Sequence, residues 1–560
     1  MKRILIVQIA RMGDLIQTSA LLPALAQRGA KVDLLVSEAF ADTARALPDV
    51  SRVFTLSLAE AVKPLWNNPS SLLKSYRLIR GLIDDLARGE YDRVLNLTHT
   101  DYSAALTALL GGREARGMTL DAEGRKMVIG SWAQYYFNAY INRIYNPFNL
   151  VDIHAGMAEV RPARRLKFEV NEGARIRAAA LLQASKIGDG LLLGIIPGAS
   201  SPEKTWGVDN FAAAFKVLLK QMPLQAIAMG AKSEEVLGEA LAEQSGAVNL
   251  CGQTDVLTLA AVLERCALVI SNDTGPMHLA AAVGTPVIDV SLGSAYAAET
   301  APWGEGHWTL EPIIDCYPCQ PRRHCDHCTC HRLLEPEAVA HLASAFLSDR
   351  EPDIGEPAWQ RARVSRTGFD ADGWGELKPV AGSEMPERVI LRQAFRELWK
   401  RSLSGVPAWS DCGNAKASSV GRRLQGALLS SPNGSLTGVL KAMEGLSSTA
   451  RQGARTAEEL SAVDVNNTDS KTVWRLGMVL REVDERLIRE AFRTPWTAPM
   501  VTQFTFEKDG LTGPDLKSLA TQTAELYRQL EDRALALPKW ALGMLGAAQQ
   551  SPAGSGISLC

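Results

Sequence analysis

Leu268-Val269-Ile270-Ser271-Asn272-Asp273-Thr274-Gly275-Pro276-Met277-His278-Leu279-Ala280-Ala281-Ala282 carries an apolar strand straight into a helix start. Pro276 suits the first helical turn, where its missing N–H and fixed φ cost nothing, and Gly275 before it lets the chain turn. Amides left unpaired at such a start make a ready site for a diphosphate. Asp273, Thr274 and His278 stand around those amides. A lone histidine is more often structural, but beside these two side chains the functional reading of His278 is favoured.

On either side, short aliphatic runs alternate with helical patterns. Strands are expected over 191–196, 224–229, 268–271 and 286–290, and helices over 208–220, 234–244, 257–265 and 277–283. The first of these strands runs into Ile196-Pro197-Gly198-Ala199-Ser200-Ser201-Pro202-Glu203-Lys204-Thr205-Trp206. Ser200, Ser201 and the loop amides offer hydrogen bonds to phosphate oxygens, and Lys204 offers a point charge. The loop is not a Walker motif, and on its own it is no better evidence than a surface turn.

The same alternation fills residues 1–167, with strand-like runs at 4–9, 32–36 and 93–97 and a helical stretch at 15–28. Strand-helix alternation of this kind points to a parallel sheet with helices on both faces. After the first strand comes Gln8-Ile9-Ala10-Arg11-Met12-Gly13-Asp14. Gly13 permits a tight turn, which puts Asp14 at or near a helix N-terminus at the carboxyl end of a parallel strand, where open sheets place their ligands. Local sequence alone favours a plain N-cap for Asp14.

At 560 residues the chain is too long for one core, and 46% hydrophobic with 22% charged residues is ordinary for a globular protein. The net charge of -2 gives no support for nucleic-acid binding. Met1-Lys2-Arg3 leads directly into Ile4-Leu5-Ile6-Val7, too short for a signal-peptide core, and no run approaches a membrane-spanning length. A cytoplasmic protein is therefore expected, at most resting on the inner face of a membrane. Between 130 and 149 lie Trp132, Tyr135, Tyr136, Phe137, Tyr140, Tyr145 and Phe148, on a spacing that suits a helix ending before Pro147. Packing beneath a long loop is favoured for them over an acceptor or membrane contact.

Beyond about residue 348, glycines and prolines mark a linker over 348–385, followed by a mainly helical region over 386–560. The stretches 470–492 and 516–535 are expected as helices able to pair as a hairpin. This region carries no catalytic motif. Five of the nine cysteines crowd into Cys316-x2-Cys319-x5-Cys325-x2-Cys328-x-Cys330, with His324, His327 and His331 among or beside them. Without a secretion signal this spacing favours four-thiolate binding of Zn or Fe, in a structural role, over disulfides.

Taken together, Gly13-Asp14, Lys204-Thr205-Trp206 and Asp273-Thr274-Gly275-Pro276-Met277-His278 resemble glycosyltransferase family 9, the ADP-heptose heptosyltransferases of lipopolysaccharide assembly. The likeness covers residues 1–347 and departs at Gly207, where the family often has proline. It implies a GT-B fold, two Rossmann-like domains facing across a cleft, with the acceptor on 1–167 and the donor on 168–347. It also implies that Asp14 is the catalytic base and that Ser200, Ser201, Lys204, Thr274 and Gly275 hold the diphosphate. Asp273 and His278 would then approach the sugar, and Glu234 the ribose. The cysteine-rich loop resembles that of iron-binding family members that glycosylate proteins, with Cys316, Cys319, Cys325 and either Cys328 or Cys330 as preferred ligands.

Such chemistry needs no metal for transfer, since amides and a lysine can take up the charge on a departing diphosphate. Acceptor choice stays open between a lipopolysaccharide core and a surface protein, and a non-catalytic nucleotide-binding scaffold is the alternative from another class. The region from about residue 348 to 560 leaves docking of a protein substrate, homo-oligomerisation and contact with a membrane face open.

Overall fold

The computed structural model describes residues 2–61, 72–111, 114–320, 325–353, 359–381, 386–406, 435–464 and 470–549. The chain forms two compact units, one of residues 1–130 with 148–383, the other of residues 131–147 with 384–560.

The first unit holds two sheets. Strands β1 (Arg3–Gln8), β2 (Lys31–Ser37), β3 (Val50–Leu56), β4 (Arg93–Asn96), β5 (Glu114–Leu120) and β6 (Lys126–Ile129) lie in the order β3-β2-β1-β4-β5-β6. All neighbours are parallel except β5 with β6. The second sheet uses β7 (Leu192–Ile196), β8 (Gln225–Ala228), β9 (Val248–Asn249), β10 (Leu268–Asn272), β11 (Val287–Val290) and β12 (Trp308–Pro312), extended by β13 (Ala362–Phe369) and β14 (Gly375–Ala381). Its order is β9-β8-β7-β10-β11-β12-β13-β14, parallel as far as β12.

β7 and β10 are buried throughout and β1 is buried from Ile4 onward. Strands covered on both faces read as unbroken aliphatic runs, which is why all three stood out in the sequence. In each sheet the strand order reverses beside its first strand, between β1 and β4 and again between β7 and β10. An open α/β sheet binds ligands in the crevice at the carboxyl ends of such a switch point. The three loops singled out above leave β1, β7 and β10 at those ends. Two Rossmann-like sheets of this kind are the α/β, GT-B class of fold.

Residues 348–385, expected as a linker, instead carry β13 and β14, an antiparallel hairpin on the edge of the second sheet. Gly373, at φ 84°, and Asp370 belong to its turn, with Asp370 Oδ1 accepting from Asp372 N at 3.0 Å and Trp374 N at 2.9 Å. Gly375 lets Trp303 lie against the hairpin, since a Cβ there would stand 2.5 Å from the indole.

The second unit is helical: Pro386–Ser402, Ser435–Ser461, Ser470–Arg493, Ala498–Asp509 and Leu516–Gln549. The last of these runs mainly along Ser435–Ser461 rather than pairing simply with Ser470–Arg493. Gly453 makes room for the Tyr527 ring, and Arg451 and Arg528 pair with Glu531 and Glu458. The aromatic stretch forms the helix Ser131–Ile141 and packs inside this unit, not beneath a loop. Asn138 Nδ2 donates to Pro499 O at 2.8 Å, and Tyr135 and Tyr145 meet Trp399 and Phe395. Arg533 makes a buried two-pronged pair with Glu507, both contacts at 2.7 Å.

Candidate functional site

Asn272, the last residue of β10, fastens two of the loops together. Its amide nitrogen donates to Pro197 O at 2.8 Å and Gly198 O at 3.2 Å, while its Oδ1 accepts from Trp206 N at 3.0 Å. Trp206 is buried and donates its indole N–H to Leu334 O at 3.0 Å. The loop after β7 is thereby fixed at both ends, and Lys204 points from its short Pro202–Lys204 turn to Asp273, Nζ to Oδ2 at 2.8 Å. Gly207, where the family pattern is departed from, takes φ +97° at the entry to the helix Val208–Leu219, a conformation closed to proline. Lys204 keeps its place.

Thr274 precedes the helix Gly275–Ala282 in extended conformation, with Pro276 in the first turn and no side-chain cap. Directly against this helix start lies the turn after β1. A Cβ added to Gly13 would stand 2.9 Å from His278 Cδ2, and one added to Gly275 would stand 2.8 Å from Met12 Cε. Only glycines allow the two backbones to approach so closely. Arg11, without a side-chain cap bond, holds the N-cap position of the helix Met12–Thr18, and Asp14 lies in its first turn. Asp14 is thus not the capping residue that local sequence favoured.

The electrostatics follow from this closeness. Burial raises the Asp14 carboxyl to about 6; Arg11 and Lys204 oppose the rise and Asp273 adds to it. Burial also pushes Asp273 upward, but Lys204, His278 and the Thr300 hydroxyl outweigh it and hold that carboxyl below its ordinary value. His278 is driven down to about 4 by burial, so it is neutral at pH 7. Its Nδ1 has no hydrogen-bond partner among the described residues. Behind Asp273, buried Asp289 is raised well above the usual range by burial and by Asp273 itself, with Ser291 Oγ 2.6 Å from its Oδ2.

Asp14, Lys204, Asp273, Thr274, Gly275 and His278 therefore share one place. Ser200 is exposed on the loop after β7, and the Ser201 hydroxyl is engaged with Glu203 Oε1 at 2.6 Å. Glu234 lies over the same loop: a Cβ on Gly198 or Gly230 would collide with its carboxylate, which accepts from Ala231 N at 2.7 Å. Asn272, Thr300 and Asp289 were given no part from the sequence. Asn272 stood inside the quoted motif, but its partners lie more than 60 positions away. Thr300 had no local signal.

Residues 79–328 match the family described as glycosyltransferase family 9 (heptosyltransferase). Over that stretch the chain is similar to glycosyltransferase family 9. Lipooligosaccharide heptosyltransferase 2 of Campylobacter jejuni serotype O:2 is 31% identical over 166 residues, 28% of this chain and 51% of that one. The chain thus spans about half the length of the curated relative it matches. Its counterpart from Haemophilus ducreyi is 22% identical over 311 residues, 52% of this chain and 82% of that one. Among solved structures, E. coli ADP-heptose lps heptosyltransferase II aligns with TM-score 0.46 and 19% identity over 62% of this chain and 99% of that one.

The family 9 match ends inside the cysteine-rich turn and begins after Asp14. Burial raises the thiols of Cys319, Cys328 and Cys330, the last to about 11, and each is raised further by neighbouring cysteines, Cys316 and Cys325 among them. Cys325 Sγ accepts from Cys328 N at 3.4 Å. The five thiols are neighbours, yet among the described residues no three His, Cys, Asp or Glu side chains close around one point in a way that would hold a metal. His324 lies outside the described residues.

Proposed function

We propose that this chain is an inverting glycosyltransferase that moves heptose from ADP-heptose to a hydroxyl of a lipopolysaccharide core. The observation that carries it is the seating of Gly13 and Asp14, from the first sheet, against His278, Asp273 and Lys204 of the second. With a carboxyl at about 6, Asp14 is largely ionised at neutral pH and suited to act as a general base.

In this reading the acceptor lies on residues 1–167 and the donor on residues 168–347. Asp14 takes the proton of the acceptor hydroxyl as its oxygen bonds to the anomeric carbon, on the face opposite the diphosphate. The bond from that carbon to the diphosphate oxygen breaks, and ADP leaves with the electron pair. Lys204, Ser200, Ser201 and the amides around Thr274 and Gly275 meet the charge that develops there. Neutral His278 and Asp273 hydrogen-bond the sugar, and Glu234 holds the ribose. Water would be kept from the donor by the close approach of the Gly13 and Gly275 backbones.

The cysteine-rich turn is assigned one structural Fe or Zn, held by Cys316, Cys319, Cys325 and either Cys328 or Cys330. Support comes from the doubled Cys-x2-Cys spacing and the mutual nearness of the thiols. A metal would have to draw them closer than they stand, and no step of the transfer passes through it. Metal analysis of the purified chain tests this, and less than one metal in ten chains refutes it.

Among the described residues no helix is long and apolar enough to cross a membrane. The proposed place of work is the cytoplasmic side of the inner membrane, where a lipid-borne acceptor is met at the surface. The deciding experiment incubates the chain with ADP-heptose and, separately, a heptose-deficient lipopolysaccharide and a surface protein, with products weighed by mass spectrometry. A heptose increment on the lipopolysaccharide alone is expected. An increment on the protein alone moves the acceptor class, and none on either, with ADP-heptose intact, removes the transferase reading.

A further inference from the structure

We infer that the cysteine-rich turn is the positioning element of the loop that carries Lys204, and that His331 is the residue through which it acts. This rests on the reading of that loop as the donor-diphosphate cradle.

The contact is made on one peptide plane. His331 Nε2 lies 3.0 Å from Glu203 O, 128 positions away in the chain. A carbonyl oxygen can only accept, so Nε2 carries the proton and donates it. The N–H on the far side of that plane belongs to Lys204 and donates to Ser201 O at 3.1 Å. Holding both edges of the Glu203–Lys204 peptide fixes the direction in which the Lys204 side chain sets out. Its Nζ is thereby delivered to Asp273, at 2.8 Å.

A second contact acts on the same oxygen. Gly293, just beyond β11, has φ +58° and passes so near Glu203 that a Cβ would stand 2.2 Å from the carbonyl oxygen. Gly293 is itself gripped by the cysteine-rich turn, because Cys319 N donates to Gly293 O at 2.8 Å. The Gly293 N–H faces the buried thiol of Cys330. The Glu203 carboxylate adds Ser201 and Ser294 hydroxyls at 2.6 and 3.4 Å. The turn therefore reaches the loop at the residue next to the lysine, by a hydrogen bond and by a backbone wall.

The test uses the full chain with His331→Ala, His331→Gln and Gly293→Ala, measuring ADP affinity by calorimetry, donor KM and kcat, Tm and metal content. Loss of one hydrogen bond of this kind is expected to weaken ADP binding and raise donor KM about 3- to 10-fold, with kcat within about twofold. Glutamine places an N–H near the position of Nε2 and should restore both constants. Gly293→Ala, which displaces the same carbonyl, should reproduce the His331→Ala defect with His331 intact. Wild-type ADP binding that His331→Ala leaves unchanged overturns the positioning role alone. So does a defect that glutamine fails to rescue, or one that tracks lost metal or lowered Tm across all three variants. A wild-type chain that binds no ADP overturns the donor-cradle reading, and this inference with it.

Discussion

Replacing Asp14 by asparagine should make the protein more stable at neutral pH while removing its activity. The carboxyl is raised from 3.8 to about 6 in the folded chain. A folded pKa above the unfolded one means the folded state holds the proton more tightly. The associated stability is complete below about pH 4 and is lost as pH rises through 6. Raising the carboxyl that far corresponds to about 3 kcal/mol. Part of the Asp14 side chain reaches solvent, which reduces the effect toward about 1 kcal/mol. Asparagine carries no charge, so the variant escapes this cost. Thermal unfolding of both proteins should show the variant ahead by about 1 °C near pH 7.5 and the gap closing near pH 4.5. Heptose transfer should fall about 10²- to 10⁴-fold, the usual worth of a positioned base, while ADP affinity stays within about twofold, because the proposed ADP cradle is drawn from loops of the second sheet. A variant that is less stable than wild type near pH 7.5, and still turns over within tenfold, would refute the placement of Asp14 as a desolvated base.

For the wild-type chain, kcat/KM should be flat above about pH 6 and fall tenfold per pH unit below it, as Asp14 takes up its proton; a profile level down to pH 5 would exclude Asp14 as the titrating group. Asn272→Ala should cost about 2–4 kcal/mol, since it leaves Trp206 N and the Pro197 and Gly198 carbonyls without their partner. Denaturant unfolding and ADP affinity should worsen together, and a stable variant with intact affinity would show that the two loops do not depend on this brace.

What the sequence could reveal was whatever is encoded in neighbouring positions. β1, β7 and β10 are aliphatic because both their faces are covered, and each is followed within a few residues by the loop that matters. Strand, loop and helix start therefore lie in one continuous window, and Asp14, Lys204 and Asp273 fall inside those windows. The hairpin of β13 and β14 was hidden because its glycines and prolines look the same in a linker as in a strand edge and its turn. What distinguishes the two is the pairing of Ala362–Phe369 with β12, some 50 positions upstream. The same holds for residues 131–147, whose aromatic side chains suggested burial correctly but whose partners lie beyond residue 384.

The site shows most sharply where local pattern stops. Lys204 was assigned a phosphate from its own loop, and Asp273 a sugar through the family resemblance. Placed 69 positions apart in sequence, they nonetheless form a buried pair, with side chains 14% and 6% exposed. A buried cation beside its counter-ion is stable without any ligand, whereas breaking such a pair by removing one partner is costly. Asp273 therefore aims the lysine, and the lysine, with His278 and the Thr300 hydroxyl, holds the Asp273 carboxyl below its ordinary value despite burial. Each residue's type is legible in its loop. The pairing that places them together requires β7 and β10 to be neighbours in the sheet, which they are.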